Sequence, residues 1–176
     1  MKLVDYIQFR QGLPFYDMVT SFMVSLAACP AIFNKQNPMG LTEEHYIVVA
    51  GGILESRHFR PYDVYQLAQN GQISSETYLK ACCGMLANTA YESVKNKNDH
   101  SPEFEFFRQV RNAASHQNKF HFAIREPLRP ATWHSAAIDH SKKGTLNPLH
   151  GTECFGGLVG MSDLIDLLAD IEKKLV

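Results

Sequence analysis

At 176 residues and a formal net charge of −1, with 45% hydrophobic and 20% charged residues, the chain has the composition of an ordinary globular protein. The length supports one well-formed core rather than two, so a single domain over 1–176 is expected. A disordered or fibrous chain is excluded, and so is a protein that coats nucleic acid or anionic membrane through bulk charge.

Apolar residues recur at helical rather than strand spacing, which predicts an all-α fold, a bundle of four to five main helices. The first helix is expected over about 15–29, entered through Pro14 and stopped by Pro30, with Phe15, Val19, Phe22, Met23 and Leu26 on one stripe. Its end, "LAAC" at 26–29, imitates a lipoprotein cleavage box. A signal segment needs a short basic start and an uncharged apolar run, whereas Asp5 and Asp17 interrupt this lead-in. No run reaches the ~18 apolar residues of a membrane span. The four cysteines, at 29, 82, 83 and 154, form no C-x-x-C and no zinc-ligand spacing. They read as buried small hydrophobes in a reducing compartment, and a cytoplasmic protein without metal, cofactor or membrane contact is expected.

A second helix is expected from Thr42, as its cap, to about His58, with Glu43 and Glu44 at its positive end and Gly51 and Gly52 read as permitting close helix approach. "NGQ" at 70–72 is a turn, and Ser74 or Ser75 caps a third helix reaching about Lys95. The fourth helix has a strong start signal in Ser101, Pro102 and Glu103, and carries "FEFFRQVRNAASH" at 104–116. From about 120 to 160 the chain holds three Pro, five Gly and the single Trp, an irregular excursion with at most short helices or a hairpin. A last helix from Ser162 to about Leu175 repeats Leu and Ile at helical spacing and closes the bundle.

Charge is not spread evenly. Between Arg108 and Lys143 seven Lys or Arg stand against Glu126 and Asp139, and four of the eight His fall in the same window. Such a patch on a near-neutral chain suits a polyanion held at one place. Within it, Phe104, Phe107 and Ala114 share one side of the fourth helix, with Arg111 close to that side. A guanidinium beside a Phe stripe is costly unless something negative meets it, either a carboxylate such as Glu55 or Asp166 or a bound phosphate. Asn112 and His116, four apart, stand one above the other, so the amide can steady the imidazole.

The motif Arg111, Asn112, three residues, His116, late on a helix, resembles the signature of the HEPN superfamily of ribonucleases. The longer wording "RNAASHQNKFHF", followed by "RPATWHSAAI" and a Gly-rich loop before the last helix, is similar to a small prokaryotic branch of stand-alone HEPN proteins. The similarity covers roughly the C-terminal half. It implies a HEPN-like helical bundle, a toxin or defence effector with an antitoxin partner, and metal-independent RNA cleavage leaving a 2′,3′-cyclic phosphate, with two protomers facing their motifs across a cleft.

The chemistry has its own logic. Cutting RNA without a metal needs a base for the 2′-hydroxyl, an acid for the departing 5′-oxygen and positive charge on the phosphorane. Histidine supplies the proton transfers and arginine forks onto phosphate oxygens. The expected catalytic residues are therefore Arg111, Asn112 and His116, and the expected RNA-binding residues Arg108, Lys119, His121 and Arg125. Arg111 and His116 lie about 140° apart around a helix, so a homodimer through the fourth helix is expected to bring both to one phosphate. The alternative is a non-catalytic helical module that binds RNA, a nucleotide or a partner protein. Phe120, Phe122 and Trp133 read as core before they read as base-stacking platforms, and 156–160 as a flexible connector before a phosphate cradle.

Overall fold

The computed structural model describes residues 9–52, 55–125 and 129–175. Its described residues form five α-helices and two short antiparallel sheets, so the fold is mixed and the all-α expectation is corrected. The chain gathers into two compact units, 23–79 and a larger one made of 1–22 with 80–176.

Helix α1 (Tyr16–Phe33) continues through Pro30 instead of stopping there. A proline in a last turn removes one backbone bond without ending the helix. At 18 residues α1 is, among the described residues, long and apolar enough by length and composition to cross a membrane, although Asp17, Thr20, Ser21 and Ser25 interrupt its apolar run. Val19, Phe22 and Cys29 on it are buried.

Within 23–79 the expected second helix is absent from the described residues. Its place holds a hairpin of β1 (Ile47–Val49) and β2 (Arg57–Phe59), paired Ile47 to Phe59, Val48 to His58 and Val49 to Arg57. Three consecutive β-branched residues prefer the pleated conformation, and Gly51 and Gly52 belong to the connection, with open space around Gly52 rather than a neighbouring helix. Positions 53 and 54, which the expected helix also covers, lie outside the described residues. The helix that does form, α2 (Pro61–Gln69), opens on Pro61 with Asp63 in its first turn. Tyr65 Oη donates to the Lys35 carbonyl at 3.2 Å and Gln69 Nε2 to that of Ile32 at 3.1 Å, fastening α2 to the end of α1.

The larger unit is built around α3 (Ser75–Val94, from residue 80), α4 (Pro102–Ser115) and α5 (Met161–Leu175), near the expected boundaries. Helix α4 is its centre: Phe104, Phe106, Phe107, Val110 and Ala113 are all buried. Phe15 and Tyr91 meet Phe107 edge-on at 6.3 and 5.4 Å. Gly84 of α3 faces Ala114 of α4, and a Cβ built on it would lie 3.9 Å from the Ala114 Cβ, an ordinary van der Waals contact, so two small residues meet where these helices touch. The excursion contains the hairpin β3 (Ala131–Trp133) with β4 (Ala136–Ile138), and Phe120, Phe122 and Trp133 are all core.

Candidate functional site at the end of helix α4

Helix α4 ends at Ser115, and His116 is its cap, with φ −105° and ψ 46° and its N–H donating to the carbonyls of Asn112 and Ala113 at 3.1 and 3.0 Å. Leaving the helical conformation breaks the stacking expected between Asn112 and His116. The Asn112 Oδ1 instead accepts Arg111 Nη1 at 3.4 Å.

Arg111 is half-buried over the Tyr91 ring, its guanidinium carbon 5.8 Å from the centroid. Its Nη2 donates to Glu92 Oε1 at 2.5 Å, and its Nε is buried without an acceptor. The negative partner that the sequence demanded is thus Glu92 on α3, not Glu55 or Asp166. Glu92 is exposed and also takes Lys95 at 2.6 Å. Hydrogen bonds from Lys95 first and from Arg111 after it, with both charges, outweigh slight desolvation and hold its carboxyl below the usual range.

Beyond the helix the chain turns sharply. Gln117 and Asn118 both take left-handed φ, 58° and 64°, a conformation asparagine tolerates better than most residues. Segment 118–122 then runs antiparallel to 150–154, through Phe120 N–H to the Thr152 carbonyl at 3.0 Å and Gly151 N–H to the Phe120 carbonyl at 2.8 Å. Strand alternation buries Phe120 and Phe122 and turns Lys119 and His121 outward. His121 comes back beside His116, with ring centroids 4.6 Å apart and 30° between planes, and His150 follows at 5.1 Å from His121. His150 Nδ1 accepts the Phe122 N–H at 3.3 Å.

The expected site residues therefore fall into distinct groups. Arg111 and Asn112 sit together, and His116 joins His121. Lys119 is exposed opposite Glu153, and Arg125 lies on an exposed loop. Arg108 is committed elsewhere: its Nε donates at 2.8 Å to Glu105, a fully buried carboxylate that also receives Asn98 at 3.1 Å and His100 at 3.0 Å. Burial would raise the Glu105 carboxyl, but the bonds from His100, Arg108 and Asn98 and the Arg108 charge outweigh it and lower it. Glu92 and His150 were not anticipated. Both depend on long-range pairing, and no local pattern around either marks it.

Two other features do not suit a polyanion. A cleft of about 500 Å³ lined by Trp133, Ser135 and Leu158 also carries Asp163, Asp166 and Asp170 against Lys173, the wrong sign for phosphate. In the loop 156–160 the amides of Gly156, Gly157 and Val159 donate to the Val159 carbonyl and twice to that of Cys154, and Gly160 donates to Asp163 at 2.7 Å. Those amides are spent internally, so the loop is a tied turn and not an anion cradle. Comparison with protein-family models, curated proteins and solved structures finds no match to this chain.

Proposed function

We propose that the protein is a metal-independent endoribonuclease acting through the end of α4. The observation that carries the reading is the presence, at the C-terminal end of one helix, of an exposed imidazole, His116, and of a guanidinium, Arg111, whose carboxylate partner among the described residues, Glu92, is itself exposed. An ion pair with a solvent-exposed partner is worth about 0–1 kcal/mol, so a phosphodiester can displace Glu92 at little cost and occupy the guanidinium. Asn112 holds the guanidinium, Lys119 supplies further positive charge, and His116 transfers a proton. The likeness of "RNAASH" to the HEPN motif supports the same chemistry, and from that likeness come the toxin or defence role, an antitoxin partner and a cytoplasmic setting. The test is incubation of the purified protein with total RNA in EDTA. Cleavage is expected for the wild type and a loss of about 10²–10⁴-fold for His116→Ala and for Arg111→Ala. Cleavage that requires added metal, or that survives both substitutions, contradicts the reading.

The Arg111–Glu92 pair also favours a second reading, in which the guanidinium is structural and the helix end only binds RNA or a partner. That reading predicts binding without turnover and equal RNA affinity for His116→Ala and the wild type.

A further inference from the structure

A single imidazole cannot be base and acid in the same displacement, and the fourth helix presents one His per chain. The fold places a second one beside it. Left-handed Gln117 and Asn118 reverse the chain, Lys119 N–H donates to the His116 carbonyl at 3.1 Å, and the pairing of 118–122 with 150–154 fixes which residues face outward. His121 thereby stacks on His116 at 4.6 Å, both exposed, and neither imidazole has a hydrogen-bond partner among the described residues. Two polar rings stacked face to face, on a turn held by the pairing of 118–122 with 150–154, leave their ring nitrogens to a ligand. His150, whose Nδ1 is occupied by the Phe122 N–H, lies next to His121 with ring centroids 5.1 Å apart.

We propose that His121 is the second proton-transfer group of the site, so that His116 and His121 of one chain serve one phosphodiester. This rests on the ribonuclease reading above. With 4.6 Å between centroids, no phosphorus fits between the rings, and the phosphodiester meets both at their edges. One imidazole takes the proton of the 2′-hydroxyl while the 2′-oxygen forms its bond to phosphorus. The phosphorus–5′-oxygen bond breaks, and the other imidazolium gives its proton to the leaving oxygen. The products are a 2′,3′-cyclic phosphate and a 5′-hydroxyl, and solvent exchange restores both rings. A second copy is then not required for the chemistry.

The experiment compares two substrates in EDTA: a short single-stranded RNA, and the same RNA with sulfur bridging at the 5′ leaving position, whose thiolate departs without a proton. Wild type, His116→Ala, His121→Ala and an equimolar mixture of the two variants are assayed. Each variant is expected to lose about 10²–10⁴-fold on ordinary RNA. One of the two recovers most of its rate on the sulfur substrate, a recovery that a misfolded or merely structural variant cannot give. The mixture does no better than its parts. His121→Ala cutting ordinary RNA within about threefold of wild type overturns the pair, and so does loss in both variants with recovery in neither. Recovery in the mixture overturns the one-chain arrangement. A wild type that cuts neither substrate overturns the ribonuclease reading and this inference with it.

Discussion

Glu92 is the residue on which the two readings of Arg111 divide. If it only parks the guanidinium until a phosphate arrives, Glu92→Gln should strengthen RNA binding several-fold at low salt and leave cleavage intact or faster. Measured affinity that falls would mean that the carboxylate organises the site. A second carboxylate gives a pH test of the fold. Glu172 on α5 is buried and its Oε1 accepts the Phe15 N–H at 3.4 Å. Burial raises its pKa, against that bond and the charge of Arg10. An acid raised in the folded state contributes stability in full below its unfolded value, and that stability is lost as pH rises through the folded value. Glu172→Gln should therefore melt higher than the wild type at about pH 8, and the gap should close towards about pH 4, near the ordinary glutamate range. Thermal denaturation at the two pH values checks the sign. At this scale the sequence was partly legible: Arg111 beside Phe residues demanded a negative partner, and one exists. The partner lies on another helix, and side-chain identity alone does not say which carboxylate a fold will bring near.

Among the elements, α4 is legible in the sequence nearly to the residue, because Ser101, Pro102 and Glu103 mark its start and the Phe repeats mark its buried side. The error at its end was small in sequence and large in consequence, since moving His116 out of the helix exchanges Asn112 for His121 as its neighbour. Residues 42–58 depart from the expected helix because Glu43 and Glu44 after Thr42 only imitate a helix start, while the local preference of Ile47, Val48 and Val49 for strand, with a glycine pair behind them, prevails. The loop before α5 carries a sharper prediction. A Cβ on Gly157 would stand 2.2 Å from the Glu153 carbonyl oxygen, a backbone atom that cannot yield locally. At Gly156 the strain is a φ of +85°, and the nearest atom is the flexible end of Lys80. Gly157→Ala should cost about 2–3 kcal/mol and Gly156→Ala about 1–2 kcal/mol in chemical denaturation. Equal costs would mean that the loop adjusts as a whole.

For the whole molecule, the expected homodimer meets a constraint, because α4 spends its Phe side inside its own unit and keeps for a second copy a strip from Pro102 and Glu103 through Arg108 to Arg111, Asn112 and Ser115. A stable pair needs about 800 Å² from each partner, so the segment after the helix must join any such interface. Sedimentation at micromolar concentration should show a dimer if pairing accompanies function, and a clean monomer would remove the dimer while leaving a site completed by His121. Composition and length described an ordinary globular chain, but could not show its mixture of helices with hairpins or its two compact units, because those follow from which segments pair at long range. A nuclease acting at the end of α4 reveals itself in the chemistry of the cut ends. Defined single-stranded RNA incubated with the protein in EDTA should yield fragments ending in 2′,3′-cyclic phosphate and beginning with 5′-hydroxyl, and none with His116→Ala. Intact RNA, or fragments carrying 5′-phosphate and 3′-hydroxyl, would rule out 2′-hydroxyl attack at this site.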